Sequence, residues 1–186
     1  MSQLAPIAKK LENSNKLEGI NQYLTFFLNE EEFALSLGQV KEILEYFQPT
    51  PVPRMPPFVH GAINLRGKIV PVIDLKKRLI DEKLEVGTRT CIVITEIRYQ
   101  DVVMDVGLLI DAVSKVINIY PENIEMAPTF GGQVDTDFIR GMGKLEEESS
   151  DFIVILNIDN VLSMKDLKML QKSGLAEIDV EEESEG

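Results

Sequence analysis

Short apolar runs in the second half of the chain recur in the same order as in the first, and this echo narrows the possible folds more than any other feature. Leu35, Val40 and Ile43 return as Leu108, Val113 and Val116, 73 residues on. Phe58-Val59-His60-Gly61 returns as Phe138-Ile139-Arg140-Gly141 at an offset of 80, and the run 69–74 returns as 153–159 at an offset of 84. An order that is kept while the offset grows is what loop insertions leave in a duplicated unit. The expectation is two related β subdomains.

The repeated unit reads as strands. Residues 23–28 and 33–37 alternate apolar and polar across a polar turn at 29–32, which predicts an opening β-hairpin. Val40, Ile43 and Leu44 then fall at helical spacing and predict a short helix over 39–45. Residues 48–57 carry five of the nine prolines, so they form a loop or an extended edge, because proline has no N–H for a central ladder. A second hairpin is predicted from 62–65 and 69–73 around Arg66-Gly67-Lys68, with glycine supplying the turn conformation. Asp74 is placed to cap a helix over 75–80. Two long apolar strands, 90–97 and 102–110, flank a turn at 98–101; residues 112–119 suit a helix or a strand. Residues 121–137 read as mostly loop. The run 138–142, an acidic turn at 146–151, a strand at 152–156 and a helix from 159 to about 171 close the pattern. Strands this short and this regularly spaced argue for small barrels or a sandwich and against a parallel α/β sheet.

With 44% hydrophobic and 27% charged residues, 186 residues are enough for one compact unit or two small intertwined subdomains. The formal charge of −12, from 31 acidic against 19 basic residues, repels the phosphates that supply most nucleic-acid affinity, so DNA, RNA and anionic membrane are excluded as expected partners. Glu177, Asp179, Glu181, Glu182, Glu183 and Glu185 concentrate acid at the C-terminal end, which is expected to be solvated and disordered. A single cysteine, Cys91, has no disulfide partner within the chain; its neighbours Ile92, Val93 and Ile94 predict a buried thiol, in keeping with a reducing cytoplasm. No uninterrupted apolar run approaches the roughly 18 residues a bilayer span needs, and the first ten residues hold no signal-type apolar core. The expected chain is cytoplasmic and not membrane-embedded.

Catalytic and cofactor chemistry finds little support. His60 is the one histidine, and neither it nor Cys91 has a second histidine or cysteine nearby to form a zinc set or an activated thiol. Gly61 to Ile69 resembles a phosphate loop only loosely: it has one residue too many between the glycines and ends in Ile where a Mg²⁺-binding hydroxyl is required. Asp135-Thr136-Asp137 begins like a calcium loop but continues with Phe138, Ile139 and Arg140, which supply no oxygen ligands in the required order. Asp101, Asp105 and Asp111 are scattered by strand alternation. No cofactor or metal is expected, and no enzymatic activity. The features that remain suit binding: the apolar set Val40, Ile43 and Leu44, the Ile69 and Val70 pair after a glycine turn, and Arg66 as a fork-shaped donor at the tip of that turn.

The string from Phe58 through Gly61, Asn64-Leu65-Arg66-Gly67 and Val70-Pro71-Val72-Ile73-Asp74-Leu75 resembles the signature of CheW-like domains. Residues 37–45, 107–113 and 138–143 agree with the family in the same order. The resemblance covers roughly residues 20–172, and implies a flexible segment over 1–19, a CheW-like domain over 20–172 and an acidic disordered tail over 173–186. It implies a mainly β fold of two five-stranded SH3-like barrels with a few short helices and a C-terminal helix. By the same resemblance the chain is an adaptor without activity of its own. It would couple the regulatory domain of a CheA-type histidine kinase to the cytoplasmic tips of methyl-accepting chemoreceptors, and so be recruited to membrane receptor arrays. Matched position by position, Val40, Ile43, Arg66 and Gly67 fall where the family approaches the receptor, and Cys91 and Ile92 where it meets the kinase. Glu42 and Arg66 are expected to pair and fix the turn. Cys91 stands at a position that is usually aliphatic, and the acidic end is longer than the family's.

Three readings follow: a stand-alone adaptor, a CheW-like regulatory module of a larger protein or of a chemosensory pathway that does not control flagella, and an unrelated enzyme on a β scaffold. The starting Met, the two tails, and the lack of kinase or receiver motifs favour the adaptor. An enzyme would need a convergent polar site, which the sequence does not supply.

Overall fold

In the computed structural model the described residues are 21–126, 136–145 and 151–175, the backbone of 179–180, and the isolated positions 4, 6, 7 and 9. The first half contains β1 (Gln22–Leu28), β2 (Glu31–Ser36), β3 (Val40–Glu45), β4 (Val59–Leu65), β5 (Lys68–Asp74) and helix α1 (Leu75–Ile80). Then come β6 (Cys91–Tyr99), β7 (Val102–Ile110), β8 (Ala112–Asn118), β9 (Ile124–Glu125), β10 (Ile139–Lys144) and β11 (Phe152–Leu156). Helix α2 (Met164–Lys172) and a two-residue strand β12 (Asp179–Val180) follow. The fold is mainly β, as the sequence predicts.

The strands form two sheets with the orders β8-β1-β2-β11-β10-β9 and β3-β6-β7-β5-β4, with β12 added on β7. Five strands of the first sheet match the five of the second one for one: β1 with β6, β2 with β7, β8 with β3, β11 with β5 and β10 with β4. The pairing directions agree as well. β2 runs parallel to β11 as β7 runs parallel to β5, and the other pairs along both paths are antiparallel. After its opening hairpin, however, each half sends its remaining strands to the other sheet: β3, β4 and β5 join β6 and β7, and β8, β9, β10 and β11 join β1 and β2. The two subdomains are therefore intertwined.

Register shows the duplication residue by residue. Phe26 faces Val113 as Thr95 faces Val40, and Ala34 lies beside Ile155 as Gly107 lies beside Val72, so the offset of 73 holds in both β2 and β3. Gly61 faces Val72 and Gly141 faces Ile155, each just after a bulge, which upholds the offset of 80. The same pairs correct the third offset. Val72 corresponds to Ile155, so the last strand is displaced by 83 residues, one fewer than the similarity of the Ile and Val runs suggests.

Residues 40–45 are a strand and not the expected helix. The register of β3 against β6 slips between Val40 and Glu42, and such a bulge inserts one residue into the period-two alternation. Val40 and Ile43 consequently share the face toward the central core, while Leu44 packs on the opposite side. A bulged strand thus imitates the i, i+3, i+4 spacing of a helix. The same device settles the choice left open for 112–119: β8 is a strand with a bulge against β1 that turns Val113 and Val116 to one side.

The remaining elements follow local chemistry. Asp74, 3% exposed, caps α1 by accepting from the Lys77 N–H at 3.0 Å, and its second oxygen accepts from the Leu84 N–H at 2.9 Å. Helix α2 starts at Met164 and not at Asp159, because Ser163 and Asp166 form a reciprocal capping box there. The chain before it makes a single tight turn at Ile158–Asn160. Within 121–126 the expected loop contains a tight turn and β9; residues 127–135 and 146–150, including most of the acidic turn, lie outside the described residues.

Three apolar cores result. The central one, between the sheets, gathers Leu24, Phe26, Leu35, Val93, Leu108 and Ile110, with Leu167 and Leu170 of α2 and Ile7 from the N-terminal segment. Each sheet also curls around a smaller core: Ile63, Val72, Ile92 and Leu109 on one side, Tyr23, Ile119, Ile153 and Ile155 on the other. Fully burying each such side chain contributes about 1.5–3 kcal/mol.

Candidate functional site

β3 and β4 are the two outer strands of their sheet, yet three contacts join them. The backbone of Thr50, just beyond β3, exchanges two hydrogen bonds of 2.9 Å with Ala62 of β4. The Tyr46 hydroxyl lies 3.4 Å from Nε2 of His60. The Glu42 carboxylate receives both terminal nitrogens of Arg66, at 3.0 and 3.2 Å. These contacts close the curled sheet into a barrel. The other sheet closes in the same way, with Glu125 of β9 facing Met142 of β10. A glycine permits the approach in each: a Cβ on Gly61 would stand 2.5 Å from the Thr50 carbonyl oxygen, and one on Gly141 would stand 2.9 Å from that of Glu125.

The tip of the β4–β5 hairpin carries Arg66 and Gly67, two of the four residues that the resemblance marks for a receptor. Leu65 and Lys68 face each other, leaving a two-residue turn of Arg66 and Gly67 with φ of +51° and +84°. Positive φ at both positions is the hairpin turn that matches strand twist, and it is costly for arginine. Two interactions hold it: the Asn64 side-chain oxygen accepts from the Gly67 N–H at 3.0 Å, and Glu42 grips the guanidinium in a two-pronged contact. The predicted Glu42–Arg66 pair is therefore present. The Arg66 side chain remains 75% exposed, and Ile69, three residues further along, is 51% exposed. Val40 and Ile43 sit across the same barrel wall, with Val40 8% exposed and Ile43 half-buried against the central core.

The structure places Val40, Ile43, Arg66 and Gly67 on the same barrel but does not expose them equally. Arg66 and Gly67 are exposed at the tip, Ile43 offers part of its surface, and Val40 is chiefly a core residue. Cys91 and Ile92 open β6 with 4% and 0% exposure, so their side chains point into the protein. The Cys91 thiol contacts the Arg89 carbonyl oxygen at 3.1 Å, and burial pushes its pKa up, as the apolar neighbours predict. Beside it opens a cleft of about 670 Å³ walled by Leu4, Glu45, Tyr46, the exposed turn Gly87-Thr88-Arg89, and Val113.

Sequence reasoning missed Arg78. Its guanidinium lies 4.6 Å from the ring centre of Phe58 and 5.0 Å from that of Phe138, donates from Nε to the Val161 carbonyl at 2.7 Å, and approaches Asp166 at 3.7 Å. Phe58 and Phe138 are the echoed aromatics, and their carbonyls accept equivalent 2.7 Å bonds from Asp74 and Asn157. One cation therefore joins corresponding positions of the two halves. The echo marks the aromatics, but no pattern marks the arginine, which occurs once.

Near the tip, Lys41 bridges Glu96 at 3.2 Å and Asp105 at 2.7 Å, and Glu96 also accepts from Arg98 at 3.1 Å. The hydrogen bond to Asp105 does most to raise the Lys41 pKa. Burial works to raise the Glu96 pKa, but its contacts with Lys41 and Arg98 together outweigh it and hold that carboxyl below its ordinary value. Among the described residues there is no cluster of three or more His, Cys, Asp or Glu able to hold a metal ion, and no helix long and apolar enough to cross a membrane.

Comparison with known proteins agrees with this geometry. The family model of the CheW-like domain matches residues 22–166. The chain is 43% identical over 114 residues to a chemotaxis protein CheW of Bacillus subtilis, covering 61% of this chain and 70% of that one. It is 30% identical over 149 residues to the chemotaxis protein CheW of Klebsiella aerogenes, covering 80% and 86%. The crystal structure of a scaffolding protein, TtCheW from Thermoanaerobacter tengcongensis, superposes with a TM-score of 0.68 at 35% identity, over 78% of this chain and 90% of that one. These relatives carry the names of chemotaxis and scaffolding proteins, not of enzymes. From the matched sequence, the intertwined duplicated barrels and the shared fold, the chain belongs to the CheW-like domain family.

Proposed function

We propose that this chain is a non-catalytic scaffold in chemotaxis signalling. It couples a CheA-type histidine kinase, through the kinase's regulatory domain, to the cytoplasmic tips of methyl-accepting chemoreceptors, and works in the cytoplasm at membrane receptor arrays. The observation that carries this reading is the hairpin tip. A turn with an unfavourable backbone is fixed by Glu42 and Asn64 so that a 75%-exposed arginine stands beside an exposed isoleucine. A preordered guanidinium next to apolar surface is the composition of a protein-binding hot spot.

In this reading Arg66, Gly67 and Ile43 meet the receptor tip, with Val40 supporting them from below, and a helical hairpin lies along the apolar groove between barrels. The kinase docks at the end of the barrel where β6 begins. Because the Cys91 and Ile92 side chains are enclosed, they shape that face from beneath, and the exposed residues around them, Thr88 and Arg89 among them, make the contact.

Calorimetric titration of a receptor-tip fragment into the native chain and the Arg66→Glu variant tests the receptor assignment. Loss of a central arginine is expected to weaken binding by about 30-fold or more, the scale of a 2 kcal/mol hot spot, while binding of the kinase fragment is retained. Equal receptor affinity for the two chains would remove Arg66 from the interface.

A further inference from the structure

β7 is longer than the strand that covers it. Its parallel partner β5 pairs only with Gly107, Leu108 and Leu109, so beyond these residues the outer side of β7 has no neighbour within the barrel. On its other side, β7 pairs with β6 along the whole length, ending at Tyr99 and Val102 across the two-residue turn Gln100-Asp101. In such a hairpin the closing residues spend their N–H and C=O groups on each other, so the next residue, Val103, turns its own away from β6 toward the free edge. An uncovered edge of this kind is a template for strand addition. It is not empty here: Asp179 pairs with Val103 and Val180 with Val102, antiparallel.

The occupant arrives on a short tether. Helix α2 ends in a turn closed by the Leu175 N–H donating to the Leu170 carbonyl at 3.0 Å, with Gly174 at φ +70°, and Leu175 is buried in the central core. The four residue steps from Leu175 to Asp179 reach at most about 14 Å. Such a tether keeps the local concentration of the segment far above that of any free competitor. Past Val180 the sequence is Glu181-Glu182-Glu183-Ser184-Glu185-Gly186, with no apolar residue and four carboxylates.

We propose that the C-terminal acidic segment is a built-in edge strand: residues 179–180 occupy the β7 edge, and the negative charge of the glutamates that follow them in the sequence opposes addition of a second copy of the chain there. The acidic end is thereby a solubility device with a fixed seat. Like charge on each incoming copy opposes pairing at the same edge, which is how natural sheets blunt exposed strands.

Amide hydrogen exchange at Val103 and sedimentation velocity, measured on the full chain and on a chain ending at Leu175, test this directly. The shortened chain is expected to exchange the Val103 amide at least about tenfold faster and to self-associate as its concentration rises, while the full chain stays monomeric. A full-length Asp179→Pro variant guards against misfolding of the shortened chain. It removes the N–H that faces Val103 but keeps the glutamates, and is expected to show the faster Val103 exchange. Unchanged Val103 exchange in both variants, or a shortened chain that remains monomeric wherever the full chain does, would overturn the proposal.

Discussion

Arg66 combines two roles that ordinarily conflict. It occupies a turn position suited to Asn or Gly, and its side chain is mostly in water, so its ion pair with Glu42 adds little to stability: about 0–1 kcal/mol, as for other exposed pairs. Arg66→Glu is accordingly expected to leave the urea midpoint almost unmoved while weakening the proposed receptor binding by about 30-fold or more; a large loss of stability would mark the residue as structural. The pairing with Glu42 was legible in the sequence because the family resemblance aligned the two. The enclosure of Cys91 and Ile92 was only half legible. Four consecutive apolar residues predict burial, but not that both side chains are enclosed almost completely. Cys91 is expected to react with a thiol reagent far more slowly than a free cysteine, and denaturant should remove the difference.

His60 provides a pH test at the same scale. Burial lowers its pKa from 6.5, with Lys83 pushing the same way and Asp74 opposing. The unfolded chain therefore takes up the proton first as pH falls through about 6.5. Stability conferred by the neutral imidazole is present above that pH and is lost from there down to the folded pKa. Urea unfolding at pH 7.5 and pH 5 is expected to show a smaller drop for His60→Asn than for the native chain. An equal drop would assign all of the acid sensitivity to carboxylates.

Among the elements, glycines and bulges decide what the sequence reveals. Gly61 and Gly67 lie in one hairpin, but only Gly61 has another backbone against it. Gly61→Ala is expected to cost about 1–3 kcal/mol by overpacking at the barrel closure, and Gly67→Ala about 1–2 kcal/mol from its left-handed backbone alone. Thermal unfolding of the two variants should also separate them in mechanism: relieving space by a Thr50 substitution cannot help Gly61→Ala, because the obstacle is the main-chain oxygen. The hairpins were legible because turn residues sit between alternating runs. β3 was not, since a bulge gives a strand the spacing of a helix, and only its partner β6 supplies the constraint that resolves it. Nor was the start of α2, where the apolar pattern runs back to residue 159 but the capping box lies at Ser163.

At the scale of the whole molecule, the opening hairpin of each half is completed by the later strands of the other half and the two sheets share a central core, so neither half has a complete sheet without the other. Arg78 reinforces the union by stacking between Phe58 and Phe138. Arg78→Met is expected to cost about 2–3 kcal/mol, from the lost charged hydrogen bond and ring contacts. Arg78→Lys should recover little of this, since an ammonium cannot lie flat between two rings and reach Val161 as well. Chemical denaturation should remain a single transition in all of these variants; two separate transitions would show that the barrels fold independently. The echo made the duplication legible, but the strand exchange was hidden, because similarity between halves does not say which sheet each strand joins.

In the proposed function the chain holds a receptor tip and a kinase domain at once on separate faces. Sedimentation velocity on a mixture of the chain, a receptor-tip fragment and the kinase's regulatory domain tests it most directly. One species containing all three is expected, reduced to the chain and kinase domain alone when Arg66→Glu is used. Competition between the two fragments for the native chain, or binding of neither, would contradict it.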